Sequence, residues 1–469
     1  MSEINNHSVN QLPKDWKWMK LGEVCHTTSG GTPSRREPKY YNGNIPWVKS
    51  GELNKGLIKD TEEKISEEAL KNSSAKIFPK GTLLIALYGA TIGKLAFLGV
   101  DAATNQAICG IYQNENISSQ FLYNYLFYKK QKLVNQGIGG AQPNISQTIL
   151  KNLDIPLPPK PTQQAIVSKI EELFSEIEKG IESLFTARQQ LKTYRQSVLK
   201  WAFEGKLTNG VNSRNNRDKY DSYDLHDEHD LNIAAEPGND YKPKNHDNHD
   251  NPVNHGSDKG ELPKGWKIVE LKDVCEIKRG KSKHRPRNEP SLYGGKYPFI
   301  QTGNIRNANG RYINAYSQTY NEQGLQQSKL WPKGTLCITI AANIGETAIL
   351  GFDACFPDSV VGLLCNETIL SNNYTNYFFI SFKQKLEKLA PATAQKNINV
   401  DILEKVQIPL PSIEEQNNIV EEIESRLSVA DKMEESINQS LQQAEALKQS
   451  ILKKAFEGRL IQTDNYVNN

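Results

Sequence analysis

Apolar residues return every seventh position through two long stretches of this chain. In the first, Ile170, Ile177, Leu184, Leu191 and Val198 form one seam, and Ile166, Leu173, Ala187, Tyr194 and Trp201 fill the alternate one. In the second, Ile419, Ile423, Ala430, Ile437, Ala444, Leu447 and Ile451 keep the pattern, weakened by Arg426 and Ser440. Sustained heptads predict helices over 162–203 and 413–456 that coil together. Each follows a proline-rich hinge, at 155–161 and 408–416, where a strand must end and a helix can start just beyond. Gly180 falls on the first seam and costs about 1 kcal/mol relative to Ala. An apolar stripe on a lone helix is unstable in water, and pairing the two helices satisfies both. The alternative is that each packs on its own globular domain. Forty helical residues span roughly 60 Å, longer than a small domain is wide, which favours pairing.

Upstream of each helix the pattern changes. Short Val, Ile, Thr and Phe runs broken by Gly and Pro predict strands, with one helix at 121–135 and another at 373–389. The most apolar stretch, 83–100, is interrupted by Gly89, Gly93 and Lys94. It reads as strand–turn–strand in a core and not as a membrane span. The elements also repeat. LPKDWKWMKLGEVC at 12–25 returns as LPKGWKIVELKDVC at 262–275, and SVLKWAFEGKL at 197–207 returns as SILKKAFEGRL at 450–460. A period of about 250 residues is that of whole domains. The expected order is a globular domain at 12–156, a helical segment at 157–207, a linker at 208–260, a second globular domain at 262–409 and a second helical segment at 410–461. The expected fold is α+β: two similar globular domains in tandem, each followed by a long helix, the helices pairing as an antiparallel coiled coil.

Composition adds less. A net charge of +3 on 469 residues cannot by itself argue nucleic-acid binding, so the distribution of charge must carry that claim. The linker is rich in Asn, Asp, His, Ser and Lys, cannot bury a core and should be flexible. Its histidines, His226, His229, His246, His249 and His255, are irregularly spaced without cysteine, which argues against a metal site. Cys25 and Cys275 are repeat equivalents beside apolar neighbours and read as buried thiols. A reducing cytoplasm fits, and the polar residues 1–10 lack the apolar core of a signal peptide.

Catalytic chemistry is not legible. GATIGK at 89–94 is one residue short of a phosphate loop, Leu95 stands where Ser or Thr should hold magnesium, and the repeat equivalent AANIGE loses the Lys. No nucleophile elbow, zinc-deaminase or methyltransferase motif is present. The expectation is binding without catalysis and no cofactor on this chain. Cations and amides do cluster. KRGKSKHRPR carries Lys278, Arg279, Lys281, Lys283, Arg285 and Arg287, and the first copy places Arg35, Arg36 and Lys39 in a loop at the same point. Such loops suit phosphate contact, and Arg also reads guanine edges. The alternative is a solvated surface loop. Thr91 and Lys94 at the first turn, and Asn343 at the second, are candidate tip contacts. Gln142 and Asn144, with Gln395 and Asn397 in the second copy, can pair with adenine edges. Asn144 and Asn397 fit equally well as helix caps. The copies differ most at 34–75 against 283–328, as two readers on one scaffold would.

The order LPxxW, TSGGTPS, PKGTLL with TIGK, IPLPP, a QxxIV-led helix and AFEGKL, all repeated, resembles the specificity subunit of type I restriction-modification systems (HsdS). The resemblance covers the chain apart from the linker, which is longer than family members often have. It implies two target recognition domains, each reading half of a split DNA sequence. The long helices would then act as antiparallel spacers that dock two modification (methyltransferase) subunits. Those subunits would bind S-adenosylmethionine and methylate adenine, and restriction subunits using ATP and magnesium would join them. Two other readings stay open: a specificity subunit of another restriction type or orphan methylation system, and a coiled-coil adaptor for a ligand other than nucleic acid.

Overall fold

The computed structural model describes residues 12–136, 144–208, 262–283, 286, 289–341, 343–390 and 397–461. Nearly all of the linker, with Gln142, Arg285, Arg287 and Gln395, lies outside the described residues. The chain forms two compact units, Met1–Thr186 with Ile437–Asn469, and Ala187–Ser436.

In the first unit a five-stranded sheet runs in the order Thr27–Ser29, Ile108–Ile111, Leu83–Ala86, Leu95–Leu98, Leu57–Ile58. Neighbours are antiparallel except the last pair. Side chains alternate across a strand, and both faces are covered. Leu83 and Ile85 pack with Phe121, Leu122 and Tyr125 of the helix Ser119–Asn135. Leu84 and Ala86 pack with Val48, Phe78 and Ala102, from a four-stranded sheet of Glu63–Ile65, Ile45–Val48, Ala102–Thr104 and Ile77–Phe78. Double burial explains why Leu83–Ala86 reads as a continuous apolar run.

The second unit repeats the five-stranded sheet with Cys275–Arg279, Val360–Cys365, Leu336–Thr339, Thr347–Leu350 and Tyr312–Ile313. Where the sequences diverge, the four-stranded sheet gives way to two short pairs. These are Tyr293–Pro298 with Thr319–Tyr320, and Leu330–Trp331 with Ala354–Cys355. Cys25 is a free, buried thiol, and burial pushes its pKa up to about 11. The matching expectation for Cys275 is corrected: it forms a disulfide with Cys365. The two lie directly opposite on adjacent antiparallel strands, a pairing 90 residues apart in sequence that spacing does not disclose.

The long helices are Lys160–Phe203 and Ile413–Phe456, 44 residues each. Within the first unit the start of one runs antiparallel to the end of the other. Ile166 and Ile170 share a core with Ile451, Leu452 and Ala455, and Glu178 pairs with Lys448 at 3.4 Å. Within the second unit Val198, Leu199 and Ala202 pack with Ile419, Val420 and Ile423, and Arg195 bonds Asp431 at 2.7 Å and Glu434 at 3.0 Å. Ile170, Leu191, Val198, Ile423 and Ile451 are buried, while Ile177, Leu184 and Ile437 are half-buried. The expected seam is corrected at Tyr194 and Leu447, which are 37% and 51% exposed. An α-helix turns every 3.6 residues, so a seven-residue seam drifts by about 20° per heptad and rotates out of a contact extrapolated along its length.

Both ends of each helix are fixed by repeated devices. At the start, Gln163 is fully buried. Its Nε2 donates to the carbonyls of Asn116 (3.0 Å) and Pro158 (2.9 Å), and its Oε1 accepts from the Ser118 amide at 2.7 Å. Gln416 does the same with Ile369, Pro411 and Ser371. At the far end Phe456 packs against Phe121, Tyr125 and Tyr128 of the first domain, and Phe203 against Tyr374 and Phe378 of the second. Each helix therefore lands on the domain of the other copy. Gly205 and Gly458, both at φ +70°, follow; a Cβ there would strike Pro263 and Pro13 at 2.0 and 2.3 Å. Only glycine fits both the turn and the approach.

Candidate nucleic-acid interface

Strand alternation gathers distant loops at one end of each five-stranded sheet. In the first unit this end carries the residues after Ser29, those before Ile108, the turn between Ala86 and Leu95, and those before Leu57. Gly89 (φ +81°) and Gly93 (φ +72°) shape the turn holding Thr91 and Lys94. Tyr88 bridges Asn144, the Ile145 amide donates to the Leu87 carbonyl at 2.8 Å, and Gln147 Nε2 donates to Ser29 Oγ at 2.7 Å. The turn, the amide segment and the start of the basic loop are thus brought together. Lys94 Nζ donates to Asn54 Oδ1.

The basic loop is less free than its composition suggests. Arg35 bonds Glu63 at 2.7 Å and stacks over Tyr41 at 4.1 Å; the Glu63 bond raises its pKa further and holds that carboxyl below its ordinary range. Lys39 pairs with Glu68 at 2.6 Å. Arg36 is exposed. The alternative reading of Asn144 and Asn397 as caps does not hold. Ser146 Oγ accepts from the Ile149 amide at 3.1 Å, and Asn399 Oδ1 from the Ile402 amide at 3.0 Å. Asn144 and Asn397 stand two residues before those caps, exposed.

The second unit assembles the same end. Ala341 bridges Asn397, and the Ile398 amide donates to the Ile340 carbonyl at 3.0 Å. Asn343 is exposed in the turn. Lys278 and Arg279 were expected in a loop, but they end a strand, because the ladder with Val360–Cys365 continues through Arg279 opposite Val361. Lys278 pairs with Glu276, and Arg279 Nε donates to the Asp358 carbonyl. Beyond Gly280, Lys281 accepts from Ser328 Oγ through its carbonyl (2.8 Å), and Lys283 donates its amide to Gln327 (3.4 Å). Both side chains are exposed, with no carboxylate partner among the described residues. Where the first copy has Lys94, the second has Glu346, bonded to Lys383 at 2.5 Å.

Sequence reasoning passed over one contact at this end. The Gly30 amide donates to the Ile108 carbonyl (3.0 Å) and the Gly31 amide to the Thr104 carbonyl (2.9 Å). This docking brings Thr32 Oγ1 to Gln106 Oε1 in a hydrogen bond. The available signal was an amide pair, Asn105 and Gln106, set in an otherwise apolar stretch. No cluster of three or more His, Cys, Asp or Glu that could hold a metal occurs among the described residues. None of the described helices is long and apolar enough to cross a membrane.

A family model described as the type I restriction modification DNA specificity domain matches residues 13–184 and again 263–443. The chain is 27% identical over 310 residues to the type I restriction enzyme MjaIX specificity subunit of Methanocaldococcus jannaschii, covering 65% of this chain but 61% of that protein. With an Escherichia coli type I specificity subunit the match covers 48% of the relative. It is 24% identical over 468 residues to the MjaVIII specificity subunit of M. jannaschii, covering 96% of this chain and 94% of the relative. Among solved structures, a chain described under complex assembly and conformational transition of the type I R-M system superposes with a TM-score of 0.69 at 21% identity, covering 96% of this chain and all of that one. The HsdS subunit from Thermoanaerobacter tengcongensis gives 0.56 at 20% identity, covering 97% and 99%. These last two bear on the fold alone.

Proposed function

Because the chain belongs to the type I restriction modification DNA specificity domain family, we propose that it is the DNA-recognition subunit of a type I restriction-modification enzyme. It reads a bipartite duplex target, one half with each unit, and acts in the cytoplasm. The observation that carries this reading is the duplicated sheet end, where cations and amides far apart in sequence converge at equivalent places in both units. Exposed Arg36, Lys281 and Lys283, with half-buried Lys94, attract phosphates, which position the protein without carrying sequence. Asn144, Asn343 and Asn397, exposed at these ends, read base edges; Gln142, Gln395, Arg285 and Arg287 are assigned the same role from the sequence alone. The paired helices dock two modification subunits, and restriction subunits join them. S-adenosylmethionine, ATP and magnesium are used on those partners and not on this chain.

The test is DNA binding at several salt concentrations by the chain with its modification subunits. Lys281→Ala or Lys283→Ala should weaken cognate and random duplexes alike and lower the salt slope by about 1. Arg285→Ala or Arg287→Ala should cost ~1–3 kcal/mol on the cognate duplex only. The chain alone should show no methyltransferase, nuclease or ATPase activity. Adenine methylation by the chain alone, or a complex indifferent to duplex DNA, would sink the proposal.

A further inference from the structure

Within the first unit, Gln106 occupies the middle of the gathered sheet end. The strand Ile108–Ile111 lies between Thr27–Ser29 and Leu83–Ala86, so the residues just before it sit between the basic loop and the turn carrying Thr91 and Lys94. The backbone there is fixed from both sides: the Leu87 amide donates to the Ala107 carbonyl (2.8 Å), and the Gly30 amide to the Ile108 carbonyl (3.0 Å). Asn105 is consumed by this framework, its Oδ1 accepting from the Ala107 amide at 3.2 Å. Gln106 is exposed and takes no part in the framework. Its side chain is nevertheless oriented, because Thr32 donates a hydroxyl hydrogen to its Oε1.

Gly30 and Gly31 make that bond achievable. A Cβ on Gly30 would fall 2.1 Å from Thr104 Oγ1 and 2.2 Å from the Thr104 carbonyl, and one on Gly31 would fall 2.3 Å from Ser74 backbone. The glycine pair lets the loop lie flush on the turn and delivers Thr32 to Gln106. The amide oxygen has two lone pairs and Thr32 uses one. The other lone pair and the Nε2 donor of this exposed residue take no hydrogen-bond partner among the described residues and stand side by side, acceptor and donor. That is the complement of the N6 amino group and N7 of adenine in the major groove.

We propose that Gln106, preset by Thr32, is a specificity-determining residue that reads one adenine in the half-site of the first unit; this rests on the DNA-reading function proposed above. Registering the two copies on their shared motifs puts Ser282 opposite Thr32 and Asp358 opposite Gln106. The second unit therefore has an acid where the first has an amide.

The experiment compares the methylated motif in cells carrying the full chain, wild type or variant, with its modification subunits, alongside duplex binding. Gln106→Glu removes the donor to N7 and offers an acceptor suited to the cytosine amino group. It should change or relax one position of one half-site, with a roughly tenfold or greater loss of affinity for the wild-type motif. Thr32→Val, which keeps shape and loses the hydroxyl, should relax the same position to a smaller degree. The half read by the second unit is the internal control for folding and assembly and should be unchanged. A Gln106→Glu motif identical to wild type overturns the inference and leaves the DNA-reading proposal standing. So does loss of both half-sites together, which would mark Gln106 as structural. A wild-type complex that binds no duplex overturns the DNA-reading proposal itself.

Discussion

The two units are closest where a buried polar group must be satisfied and furthest apart where nothing inside the fold asks for a particular residue. Gln163 and Gln416 make the same three hydrogen bonds at corresponding places. At the sheet end the backbone bridges to Asn144 and Asn397 correspond, but side chains do not: Lys94 bonds Asn54 in one unit, and Glu346 bonds Lys383 in the other. An unsatisfied buried amide costs free energy in any variant of the fold. An exposed side chain at a loop tip costs the fold almost nothing to change. The molecule therefore separates what holds it together from what distinguishes one half from the other.

That equivalence can be broken most sharply at the helix ends. Phe456 is 3% exposed and meets three rings, so Phe456→Ala should cost about 3–5 kcal/mol in urea denaturation of the full chain. Phe203 is half-buried and meets two rings, so Phe203→Ala should cost less. Equal losses would show that ring burial does not set the strength of these joints. Next come the glutamines. Gln163→Leu and Gln416→Leu should each cost about 3 kcal/mol, because each strands two carbonyls and an amide. A clear inequality between them would mean that the shared bonds conceal different surroundings. The smallest effect tests the helix pair. Gly180 is exposed and nothing lies within 4 Å of a Cβ placed there. Gly180→Ala should therefore raise stability by about 1 kcal/mol; a loss would put position 180 in a tight interface after all.

Much of the architecture was legible because it rests on local pattern. The heptads predicted both helices, and repeat-equivalent seam residues share one environment: Ile170 and Ile423 are buried, and so are Val198 and Ile451. The same logic explains the misreading, since Tyr194 and Leu447 are also equivalents and both are exposed. Reading the AFEG motif gave the helix end, but not that Phe203 and Phe456 land on each other's domains, because reciprocal contacts leave no trace in spacing. A glutamine near a helix start reads as surface. Gln163 is buried only because the carbonyl of Asn116, 47 residues earlier, comes to meet it. Gln106 was missed for the converse reason. Its neighbour Thr32 is 74 positions away, and only the sheet order brings them together.

The reciprocal landing of the helices has a hereditary consequence. The last helix closes onto the first domain through Phe456 and Gly458, as the first closes onto the second through Phe203 and Gly205. Both joints use the same parts, a phenylalanine against an aromatic helix and a glycine against a proline. A gene segment encoding one domain and its helix could therefore be exchanged for that of a relative without redesigning either joint. On the proposed function, such an exchange would replace one half of the DNA target and leave the other intact, giving a new pairing of half-sites in one recombination event.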